Sequence, residues 1–99
     1  MRSFSENVLE LTKRIPKGKV TTYGIIAEKL NCKAYRAVGT ALHNNKTPII
    51  IPCHRVVNSN GYPGGYGGGL EKKKDLLKKE GITFSADKIA GFKKKLFRF

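Results

Sequence analysis

Between Thr22 and Asn44 the chain reads TYGIIAEKLNCKAYRAVGTALHN, two helical patterns separated by a short turn. Thr22 can cap the first with its hydroxyl, and a helix over about 23–30 puts Ile26, Ala27 and Leu30 on one side. Asn31, Cys32 and Lys33 make the turn. A second helix over about 34–44 then brings Val38, Ala41 and Leu42 inward. Two short helices joined this tightly in a basic chain read as a helix-turn-helix, although many small helical proteins share the pattern. The second helix is rich in small residues: Ala34, Ala37, Gly39, Thr40 and Ala41. A glycine inside a helix costs about 1 kcal/mol relative to alanine. Two reasons for accepting that cost stand level here: tight packing on a neighbouring helix, or close approach of the backbone to DNA.

The rest of the chain fits around this pair. Ser3 and Glu6 form a capping box. Phe4, Val8, Leu11 and Ile15 then recur at helical spacing until Pro16 and Gly18 stop the helix. KVTTY, ending at Tyr23, holds a β-branched run and reads as a short extended piece. IIIP, ending at Pro52, is a short buried strand or extended segment. Asn58 to Gly69 is loop, and six of the nine residues from Gly61 to Gly69 are glycine. Leu70 to Glu80 is a lysine-rich helix with Leu70, Leu76 and Leu77 as its apolar residues, and Gly81 takes the C-cap position. Ser85 caps a last helix from about Ala86, bearing Ile89, Phe92, Leu96 and Phe97. The expectation is one domain over residues 1–99, mostly α with short strands and a winged helix-turn-helix core.

Charge narrows the partners. Lys and Arg number 20 against 7 Asp and Glu, a formal +13. That excess favours polyanions, of which nucleic acid is the commonest soluble one; a cationic surface with no partner is the alternative. Apolar runs fall far short of the ~18 residues of a membrane span, and the first ten residues lack the apolar core of a signal peptide. A cytoplasmic protein, on the nucleoid when bound to DNA, is the expectation. There Cys32 and Cys53 stay reduced.

The chemistry centres on PIIIPCHRVV, which sets a cysteine beside a histidine at the end of an apolar run. Thiolate is the reactive form of cysteine, and activation needs a base or a positive neighbour. Side chains adjacent in sequence usually point apart, so His54 reaches Cys53 through a water or a bend in the backbone. A buried structural cysteine is the plain alternative. Cys32, His43, Cys53 and His54 could be offered to a metal, but with no Cys-x-x-Cys and no paired histidines they match no usual zinc site. The glycine-rich loop ends in no Gly-Lys-Ser/Thr and sits in no βαβ unit, so it is neither a P-loop nor a dinucleotide fingerprint. Bare glycines with Tyr62 and Tyr66 let backbone approach a flat ligand, or make a flexible surface loop.

Taken in order, GKVTTYGIIAEKL, RAVGTAL, PIIIPCHRVV and GYGGGL, followed by a helix ending in glutamate, resemble the O6-alkylguanine-DNA alkyltransferases. The resemblance runs from about Lys17 to Gly81. It implies a protein that flips a damaged guanine out of duplex DNA and moves its O6-alkyl group irreversibly to a cysteine, once per molecule. Cys53 would be the acceptor, His54 the base acting through a water, and Glu80 the residue that orients His54. Asn45 would hold the active-site turn, and the Tyr23 hydroxyl would protonate or hydrogen-bond the departing guanine. Arg36 would enter the base stack, offsetting part of the few kcal/mol that flipping costs. Ala37, Thr40 and Ala41, with Gly39, would form the recognition surface in the minor groove. Val56, Tyr66, Gly67 and Gly68 would line the base pocket. The implied partner is double-stranded DNA containing O6-alkylguanine, bound by a monomer without metal or organic cofactor.

Departures from the family pattern matter too. The additional N-terminal α/β domain of many members is not expected here, and some members have serine near Gly67. The alkyltransferase-like sensors carry tryptophan at the acceptor position, where this chain has Cys53. A non-catalytic sensor of alkylguanine is nonetheless the rival reading, and a generic basic chromatin or RNA protein the next.

Overall fold

In a computed structural model, residues 3–45, 51–64 and 69–99 are described. Helix α1, Phe4–Lys13, opens on the expected capping box: Glu6 N donates to Ser3 Oγ and Ser3 N donates to Glu6 Oε1, both at 3.2 Å. Val8, Leu11 and Ile15 are buried, while Phe4 at its first turn is exposed. Beyond Pro16, Gly18 takes φ +86°, a left-handed value that a side chain would strain. Strand β1, Thr21–Thr22, follows, and its last residue also caps helix α2, Tyr23–Lys29: Ile25 N donates to Thr22 Oγ1 at 3.0 Å. One threonine thus ties the sheet to the first turn of the helix. Asn31, at φ +57°, reverses the chain, and helix α3 runs Tyr35–His43. It packs on α1 and α2 through Val38, Ala41 and Leu42, as its spacing predicts.

Strand β2, Val56–Val57, pairs in parallel with β1, Thr21 opposite Val56 and Thr22 opposite Val57. Successive residues of a strand face opposite sides, and the two valines use both. Val56 belongs to a core of Val8, Leu11, Ile26, Val38 and Leu42; Val57 belongs to a second, with Val20, Leu77, Ile82 and Ile89. Helix α4, Leu70–Lys79, closes the second core through Leu77, with Gly81 at φ +91° beyond its C-cap. Leu70, expected on the apolar side, is exposed.

The last segment differs from expectation. No long helix begins at Ala86. Phe84–Ser85 and Lys88–Ile89 form an antiparallel hairpin, β3–β4, turned at Ala86 with φ +56°. Helix α5 is confined to Phe92–Lys95 after Gly91 at φ +62°. The spacing of Ile89 and Phe92 suits a helix, but burial of Ile89 is met equally by an inward-facing strand position. Ile89 N donates to Gly61 O at 2.9 Å, which anchors the hairpin. The architecture is a winged helix-turn-helix, mostly helical with short strands.

Candidate active site

Cys53–Arg55 form a single 3₁₀ turn between Pro52 and β2. Cys53 N donates to Ile51 O at 2.7 Å and Arg55 N to Pro52 O at 2.9 Å. Asn45, just past α3, donates from Nδ2 to Ile51 O at 2.9 Å and so holds the entry to the turn. The turn is what lets consecutive side chains serve one site: Cys53 is half-buried at a cleft, and His54 points inward with 1% exposure.

His54 Nε2 lies 3.1 Å from Glu80 Oε2. A carboxylate only accepts, so Nε2 carries the proton and Nδ1 keeps its lone pair. Nδ1 is buried and has no hydrogen-bond partner among the described residues. Burial lowers the His54 pKa, against a smaller raising effect of Glu80, so the ring is held neutral. Glu80 is gripped in turn by a two-pronged guanidinium. Arg55 Nε donates to Oε1 at 2.9 Å and Nη2 to Oε2 at 2.6 Å, while Nη1 donates to Ile15 O at 2.8 Å. Burial would raise the Glu80 pKa, but the bonds from Arg55 and His54 outweigh it and the pKa falls.

On the other side of Cys53 stands Tyr23, the first residue of α2, its pKa raised by burial and then by its electrostatic interaction with Cys53. Lys73 of α4 is fully buried. Its Nζ donates to Val56 O at 2.7 Å and, at a long 3.5 Å, to the Tyr23 hydroxyl. Burial depresses its pKa to about 8, with Cys53 pulling the other way. The ammonium donates to the tyrosine oxygen, so the phenolic hydrogen is free to face the cleft.

That cleft has a volume of about 940 Å³ and is lined by Tyr23, Arg36, Gly39, Leu42, Cys53 and Asn58, among others. Arg36, Ala37 and Thr40 lie on the open face of α3. Ala41, expected on that face, and Val56, expected to line the base pocket, are buried. Ala41 is 4% exposed and belongs to the core, because it shares the inward stripe of Val38 and Leu42. Val56 is also core, and reaches the site only through the carbonyl that Lys73 binds. Tyr66, Gly67 and Gly68 lie outside the described residues. For Gly39 the tie is broken: a Cβ there would meet no atom within 4 Å among the described residues, so packing on a neighbouring helix does not call for the glycine.

Lys73, Arg55 and Leu42 were missed as site residues. Lys73, Leu77 and Glu80 are spaced four and three apart, which puts the lysine on the stripe of the buried leucine. That spacing was the available signal. Nothing local marks Arg55, whose partners are distant in sequence.

Fold and site together define a basic winged helix-turn-helix domain that presents a thiol at the base of a cleft. The chain belongs to the 6-O-methylguanine DNA methyltransferase family, whose DNA binding domain model matches residues 3–82. It is 51% identical over 86 residues to the methylated-DNA–protein-cysteine methyltransferase of Methanocaldococcus jannaschii, covering 87% of this chain and 50% of that protein. The chain spans about half the length of the first curated relatives it matches. Among solved structures it is similar to Mycobacterium tuberculosis OGT in complex with DNA, with a TM-score of 0.77 and 41% identity over 81% of this chain and 50% of that one. It is also similar to Schizosaccharomyces pombe Atl1 in complex with damaged DNA containing O6-carboxymethylguanine, with a TM-score of 0.82 and 28% identity over 100% of both chains.

Proposed function

We propose that this domain repairs O6-alkylguanine in duplex DNA by moving the alkyl group to Cys53. The guanine turns out of the helix into the cleft, and Arg36 fills the space it leaves. A water takes the Cys53 proton and passes it to His54 Nδ1, and Glu80 stabilises the imidazolium that forms. The thiolate attacks the alkyl carbon; the S–C bond forms as the C–O6 bond breaks. The electron pair released into the purine is met by a proton from the Tyr23 hydroxyl, which the buried Lys73 ammonium assists. Guanine therefore leaves neutral, and the thioether remains, so each molecule acts once.

The observation that carries this reading is the buried His54, fixed at Nε2 by Glu80 with Nδ1 open, one residue from a cleft-lining cysteine. Mixing the protein with an O6-methylguanine oligonucleotide should add one methylene to the peptide holding Cys53, measured by mass spectrometry. Cys53→Ser should gain nothing; a serine variant that still cleared the lesion at the parent's rate would remove the basis of the proposal.

A second reading has its own support, the full-length likeness to Atl1 bound to damaged DNA. A sensor would bind the lesion tightly and show no mass gain. Cys53 in the acceptor position favours transfer.

A further inference from the structure

The family match stops at residue 82, yet the segment after it is built into the domain. Val20 N donates to Lys95 O at 2.9 Å and Phe97 N to Val20 O at 2.7 Å, so Leu96 bridges Val20 beside β1. Lys19 Nζ donates to Lys94 O at 3.0 Å. Phe97 and Phe99 pack on the first core and meet edge to face, their centroids 5.2 Å apart. Extended backbone alternates its side chains between two faces. With Phe97 and Phe99 turned to the core, Leu96 and Arg98 take the other face, and both line a second cleft of about 640 Å³.

This cleft adjoins the one that holds Cys53. Gly24, Tyr35 and Ser59 line both, and Tyr35, 55% exposed, stands between them. Lys33 from the turn after α2 and Arg98 bring positive charge to the second cleft; Glu28 also lines it and is acidic. Lys33 and Arg98 are exposed, able to meet a ligand without a change of fold. A nucleotide turned into the first cleft leaves its sugar and phosphates at the rim. The strand must continue from there, and a neighbouring groove walled by a lysine and an arginine complements it in charge.

We propose that the segment 83–99 extends the DNA-binding surface: the second cleft seats the phosphodiester backbone next to the flipped nucleotide, with Arg98 and Lys33 as phosphate contacts. The proposal rests on the reading of the first cleft as the lesion site. Phosphate contacts carry no sequence information and affect lesion and undamaged duplex alike. Each one lost lowers the salt dependence of binding by about one unit of logarithmic slope.

The test measures binding of the whole chain to a fluorescent duplex, with and without one O6-methylguanine, over a series of salt concentrations. Arg98→Ala should bind both duplexes several-fold more weakly, with the slope reduced by about one. Arg98→Lys should restore the slope, and Lys33→Ala gives a second reading of the same cleft should the first variant fold poorly. Unchanged affinity and slope in folded Arg98→Ala and Lys33→Ala, beside a parent that binds, overturn this inference alone. A parent with no salt-dependent duplex binding overturns the lesion-site reading and this inference with it.

Discussion

His54 and Glu80 set how the site answers to pH. Burial holds the His54 pKa below its ordinary value, so Nδ1 stays available as a base under conditions where a surface histidine is half protonated. The transfer rate, measured by quenched single-turnover assays, should stay level from neutral pH downward past about 6.5 before it falls. Stability has the same sign. Both groups bind a proton more readily in the unfolded chain, so acid favours unfolding. The His54 contribution erodes as pH drops from about 6.5 towards its folded value, and the Glu80 contribution below the ordinary carboxylate range. Urea midpoints across this range should fall with pH. Arg55→Ala should cost about 3 kcal/mol near neutrality, because it leaves a largely buried carboxylate short of its main partner. Of these residues, Cys53, His54 and Glu80 are grouped in the sequence only through the order of motifs that resembles a family, and the structure brings His54 and Glu80 to 3.1 Å. Arg55 could not, since its fork closes on Glu80 and Ile15 only after the chain folds.

Among the helices, α3 sets a glycine at the cleft wall and α4 buries a lysine behind it. Gly39 weakens α3 and serves no packing need among the described residues. Gly39→Ala should therefore raise stability by up to about 1 kcal/mol in thermal melts, while the added methyl at the cleft wall weakens binding of lesion duplex. In α4, Lys73 is fully buried, and burial lowers its pKa. Lys73→Met removes the donor to the buried Val56 carbonyl, so it should cost about 1 kcal/mol of stability and slow alkyl transfer in the single-turnover assay. Helix starts were readable because capping is local: Ser3 with Glu6, and Thr22 with Ile25. The last segment was not. Ile89 and Phe92 satisfy helical spacing and a hairpin followed by one helical turn equally well, and the choice rests on the bond from Ile89 N to Gly61 O, which no local pattern announces.

The whole chain combines a strong positive charge with a cleft on the open side of α3. Binding to duplex DNA should weaken steeply as salt rises, for damaged and intact sequences alike, since the phosphates supply most of that affinity. Lesion preference, the ratio of the two affinities, should change far less across the same titration, because extrusion and pocket contacts release few ions. The broad outline, a basic and mostly helical chain around a helix-turn-helix, followed from periodicity and charge. The placement of two cores did not, because it hangs on the pairing of two-residue strands too short to carry a pattern of their own.

Val56 and Val57 stand back to back, each a wall of a different apolar chamber. Loss of either should disturb the strand that walls the other. Calorimetry should accordingly record one heat-absorption peak whose van't Hoff and measured enthalpies agree, and the slowest-exchanging amides should occur in helices on both sides of that partition.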